Sequence, residues 1–181
     1  MKTAKRREMK KLVPLIILLL NVANGFSQSM AYPGWVRDSL KSKGLDKKYE
    51  LSSYLNPPFL QADFNGDGSS DLVVLILEKA TNKKGILLIP GNSNQYHVFG
   101  AGTNFGNGSD NFKWVDKWSI YKQKTAHETQ FDKKSGDILG GKKIELKRFA
   151  ISLVDIEDGS EVSGGLIYWD GKKYTWIHQG E

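Results

Sequence analysis

The sequence predicts a mainly β protein: an antiparallel meander, sandwich or curled sheet with one short N-terminal helix. Three observations lead there. Short apolar runs rich in β-branched and aromatic residues recur at 72–77, 86–89, 96–99 and 114–121, the composition of half-buried or fully buried strands. Short polar connections separate successive runs, which favours antiparallel pairing. Asp158-Gly159 and Asp170-Gly171 stand between alternating runs near the C-terminus, and Asp-Gly is the strongest short-range hairpin signal.

In chain order, residues 1–27 read as a secretion signal. Lys2, Lys5, Arg6, Arg7, Lys10 and Lys11 form a basic head, residues 12–20 are apolar, and Ala23, Gly25 and Ser27 suit cleavage. A membrane span needs about 20 apolar residues, and this run meets Pro14 and then Asn21 too soon. The expectation is one β domain over residues 28–181, secreted or periplasmic, with no transmembrane segment after cleavage. The chain has no cysteine, so neither a disulfide staple nor a lipidated cysteine is on offer. It carries 26 Lys and Arg against 20 Asp and Glu; without the signal the balance is 20 to 19. That near-neutral domain lacks the net basic footprint of a nucleic-acid binder.

Tyr32, Val36 and Leu40 repeat every four residues, Trp35 widens their face, and Pro33 and Gly44 bracket the segment. This is the predicted helix. Asn56-Pro57-Pro58 then breaks the chain, and residues 59–62 read as a strand delivering the next segment.

That segment is Asp63-Phe64-Asn65-Gly66-Asp67-Gly68-Ser69-Ser70-Asp71. Oxygen-bearing side chains fall at Asp63, Asn65, Asp67, Ser69 and Asp71, and Gly68 permits a sharp turn. Hard cations such as Ca²⁺ take about six to eight oxygens, and a loop of this spacing supplies most of them. In this scheme Ser69 gives its carbonyl, and Asp71 ligates directly or through water. Asp, Asn, Gly and Ser also dominate ordinary turns, but a plain turn has no need of three acids and an Asn in strict alternation. An EF-hand is excluded, because its twelfth position requires Glu before a helix, and here it is Val74 inside the apolar run 72–77.

The stretch 63–74 closely resembles the core of an FG-GAP, or VCBS-type, repeat. The resemblance covers about residues 62–77 and implies Ca²⁺ held by Asp63, Asn65, Asp67, Ser69 and Asp71. Members of that family usually form propellers from several copies, typically about 4–8 blades. Only one copy is present here, so a full propeller is not expected.

Beyond the 86–89 and 96–99 runs, residues 100–111 form a Gly/Asn-rich loop long enough to be functional. Residues 122–143 are polar and read as a mobile excursion, and the C-terminal part as three strands. Trp114, Trp118, Tyr168, Trp169, Tyr174 and Trp176 build core or line a binding face; strand aromatics more often build core. Trp169 and Tyr174 flank one turn and, with Asn104 and Asn107 of the loop, are the candidate binding surface.

Catalytic signatures fail on inspection. Residues 136–142 have phosphate-loop spacing, but Lys143 replaces the Ser or Thr that holds Mg²⁺. Residues 100–105 carry Phe105 where a dinucleotide fingerprint needs its third Gly, and Ser163 lacks the first Gly of a nucleophile elbow. His97, His127 and His178 have no zinc spacing. The function expected is a non-enzymatic calcium-binding domain that binds a macromolecule, protein or glycan, at the cell surface or in the envelope. The alternative is an extracellular hydrolase or hydrolase inhibitor acting on cell-wall polymer, with a structural calcium.

Overall fold

The structure, a computed structural model, describes residues 32–180; the expected signal at 1–27 lies outside the described residues. The chain stacks four layers in the order helix, sheet, sheet, hairpin.

The predicted helix is present as α1 (Gly34–Ser42), preceded by Pro33, with Gly44 beyond it at a φ of 67°. It buries Val36 and Leu40 on the outer face of the first sheet. The centre of that sheet is β3 (Asp71–Glu78). One side of β3 pairs with β4 (Lys84–Ile89), which pairs with β5 (His97–Gly100). The other side takes β2 (Phe59–Ala62) along its first half and β1 (Tyr49–Leu51) along its second.

Strand periodicity explains why residues 72–77 are apolar without a break. Leu72, Val74 and Ile76 pack beneath α1, whereas Val73 and Leu75 point into the core between the sheets. All five are at most 2% exposed, and burying one such side chain is worth about 1.5–3 kcal/mol. A strand covered on both faces has no solvent side to mark with polar residues.

The second sheet runs β11–β10–β9–β6: β6 (Lys117–Tyr121), β9 (Ala150–Glu157), β10 (Ser160–Trp169) and β11 (Tyr174–Gly180). Its inner face offers Trp118, Ile151, Leu153, Ile167 and Tyr174 to the shared core. Trp118, 1% exposed, ties the layers as its indole N–H donates to the Pro57 carbonyl at 2.7 Å. The turn at Asp158-Gly159 has φ of 50° and 79°, as the Asp-Gly signal requires. Among the described residues, antiparallel sheets with one short α-helix are therefore present, and the sheets close into neither a barrel nor a propeller.

One expectation is corrected. Residues 122–143 are not a mobile excursion but contain most of a hairpin, β7 (Thr125–Phe131) and β8 (Ile138–Glu145). Ala126 and Leu146 pack it onto Leu166, Tyr168 and Ile177 of the outer face of the second sheet. β8 is exposed at all but one position, so it lacks the alternation by which a strand is recognised. The phosphate-loop spacing at 136–142 falls on this hairpin, with no helix after it.

Candidate metal site and binding cleft

The oxygen-rich loop is the connection between β2 and β3, closed by the Cα pair Ala62 and Asp71. Phe64, 1% exposed, sinks into the inter-sheet core and pins the loop from below. Above it the Asp63 carboxylate gathers three amides. Oδ1 accepts from Gly66 at 2.6 Å and Asp67 at 3.1 Å, and Oδ2 from Gly68 at 2.9 Å. Asn65 Oδ1 also accepts from the Asp67 amide at 2.9 Å, and its Nδ2 donates to Asp67 Oδ2 at 3.0 Å. Asp67 Oδ1 accepts from the Ser69 amide at 2.8 Å. Gly66 and Gly68, with φ of 76° and 85°, provide the left-handed steps of this curl. The Ser69 amide and then the Asn65 side chain hold the Asp67 carboxyl below its usual range.

Asp71 occupies a different position. It is fully buried, and its Oδ2 accepts from the Phe64 and Asn65 amides at 2.9 and 3.3 Å. Its Oδ1 accepts from the Gly91 amide at 3.1 Å. Burial pushes its carboxyl up, against the pull of those three amides. The structure thus brings Asp63, Asn65, Asp67 and Ser69 into one hydrogen-bonded ring and sets Asp71 beneath it. Among the described residues, no three Asp, Glu or His side chains converge as a metal-holding group, because Asp71 faces inward. The ring still fits a hard cation in kind: its side-chain acceptors are all oxygen, with main chain and water left to complete the shell.

Of the surface candidates, Asn107 and Tyr174 meet at a cleft of about 390 Å³, which Phe105, Glu128, Phe131, Trp176 and His178 also line. Asn104 is exposed and outside it, and Trp169 is half-buried against the Tyr174 ring at 4.9 Å. Tyr174 is not exposed as its place beside a turn suggested. It is 8% exposed, because its register opposite Trp169 puts it on the inner face, against Phe99 at 5.4 Å.

Trp176 lies in a slot cut by glycines. A Cβ at Gly165 would overlap its ring, and one at Gly106 would overlap its own Cβ. Tyr174 Oη, Trp176 Nε1 and both ring nitrogens of His178 are buried with no hydrogen-bond partner. Burial raises the Tyr174 phenol, helped by the charges of Asp71, Asp63 and Asp67, and burial lowers His178.

Against protein-family models, curated proteins and solved structures, the chain finds no match. Phe105, Glu128, Phe131 and His178 of the cleft were missed by sequence reasoning. A signal for His178 existed: Tyr174, Trp176 and His178 alternate, which puts three side chains on one face of a strand.

Proposed function

We propose that this is an exported, cation-stabilised β domain that binds a glycan in the aromatic cleft. Asp63, Asn65, Asp67 and the Ser69 carbonyl would hold Ca²⁺, with Asp71 bracing their loop from the core side. When bound, the cation would supply positive charge that offsets the clustered carboxylates, and so would stabilise the loop. The FG-GAP-type resemblance supports this reading at the loop alone.

The observation that carries the glycan reading is a cleft in which the aromatic side chains of Phe105, Phe131 and Trp176 lie beside the polar Asn107 and Glu128. Sugar hydroxyls both accept and donate, and their C–H faces suit aromatic rings. The enzyme alternative has less support. His178 and Tyr174 are shifted chiefly by burial, and among the described residues no side chain hydrogen-bonds either group to complete a proton relay.

The test is titration of the purified protein with defined neutral oligosaccharides and envelope polysaccharide fractions, followed by tryptophan fluorescence. Saturable binding that weakens about tenfold or more in Trp176→Ala, the scale of a stacked ring, supports the cleft. Binding to envelope proteins alone, or glycan binding indifferent to Trp176, overturns it.

A further inference from the structure

A second concave site borders the cation loop. It encloses about 490 Å³ between Asp63 and Gly66 of that loop, the turn 122–124 that leads into β7, and the connection 146–149 that leads into β9. Four cations line it, Lys122, Lys124, Lys147 and Arg148, against the single carboxylate of Asp63. Among the described residues, ion pairs join Lys48 to Glu78, Lys83 to Asp110 and Lys117 to Glu161, and none involves these four. The domain is nearly neutral overall, so this is a local concentration of charge, and a concave wall focuses it further.

The walls are fixed. The Leu146 amide donates to the Lys124 carbonyl at 2.8 Å, the Lys147 amide to Tyr168 Oη at 3.0 Å, and Tyr121 Oη to the Thr125 carbonyl at 2.8 Å. Arg148 is half-buried, with its side chain laid across Gly66 so closely that a Cβ there would overlap it. At the rim Phe149 is 40% exposed, and buried Leu146 adds an apolar lining.

We propose that this cleft binds an acidic oligosaccharide. Uronate carboxylates would pair with Arg148, whose planar fork suits them, and with the three lysines, while a sugar ring covers Phe149. A nucleic acid fits less well. Its phosphates recur about every 1.7 Å along the duplex axis and call for an extended basic track, whereas these four cations form one compact cluster beside a single aromatic ring.

The test is calorimetric titration of the purified protein with an oligogalacturonate in calcium-free buffer, so that it stands apart from the cation reading. Binding is expected at low salt, weakening toward about 0.15 M salt as screening shortens to about 8 Å. The exposed-site variant Lys122→Gln/Lys124→Gln should lose about tenfold or more in affinity, the scale of a lost charged hydrogen bond, with an unchanged melting temperature. Arg148→Lys should also weaken binding, and Phe149→Ala should weaken it without altering the salt dependence. No binding, equal binding of the neutral oligosaccharide, tighter binding of inorganic phosphate or an oligonucleotide, or indifference to the lysine pair would each overturn the proposal.

Discussion

Asp71 and Gly91, 20 residues apart, are joined by the Gly91 amide donating to Asp71 Oδ1 at 3.1 Å. Asp71 opens β3 and Gly91 follows β4, so this bond fastens the oxygen-rich loop to the next turn of the sheet. Gly91 is required there by space, since a Cβ would land on the Ser70 carbonyl oxygen.

Asp71→Ala would leave the Phe64, Asn65 and Gly91 amides without this acceptor, the first of them buried. The expected loss is roughly 3 kcal/mol, or a fall in melting temperature of roughly 8 °C for a domain of this size. Gly91→Ala should destabilise in the same direction by forcing Ser70 away. Urea titration measures both, and wild-type stability in either variant would contradict the brace assigned to Asp71.

Calcium should raise the melting temperature of the protein relative to chelator. For an extracellular-type site with Kd near 10⁻⁴–10⁻³ M, millimolar calcium gives about 1 kcal/mol, or about 3 °C. Asp67→Ala should abolish the gain with little effect on the calcium-free midpoint, because Asp67 is exposed. His127→Ala, on the exposed surface of β7, should keep it. Coincident midpoints in calcium and chelator would remove the cation from the account.

Acidification should weaken the fold through His178. Burial lowers its pKa in the fold, so the unfolded chain takes up the proton first as pH falls. Stability is therefore complete above the ordinary histidine value of about 6.5 and is lost below it. His97, lowered mainly by burial and partly restored by the charge of Asp71, acts in the same sense. Asp71 acts in the opposite sense, its carboxyl being raised, while the lowered Asp67, Asp132 and Asp170 carboxyls stabilise at neutral pH and lose that contribution only at more acid pH. The His178 ring sits edge-on to Phe131 at 5.0 Å, so His178→Phe keeps an aromatic partner there. That variant should show a shallower fall in melting temperature between about pH 7 and pH 5; an unchanged slope would place the acid sensitivity elsewhere.

Much of the fold was legible because its signals are local. The helix 34–42 shows its period, Asp158-Gly159 shows its turn, and the unbroken apolar run of β3 announces burial on both faces. The hairpin of β7 and β8 was missed because β8 faces water at nearly every position, and what holds the hairpin is the contact of Ala126 and Leu146 with a sheet formed by later residues. Local composition carries no trace of that contact.

The sequence by itself determined the mainly β class, the helix, and the tight polar loop from Asp63 to Ser69, since each depends on residues within a few positions of one another. Only the tertiary structure decided that Asp71 turns inward to Gly91, that Asn107 joins Tyr174 in one cleft, and that Lys122, Lys124, Lys147 and Arg148 share another. Those meetings depend on which strands pair and which faces are covered, and burial across the whole chain settles that.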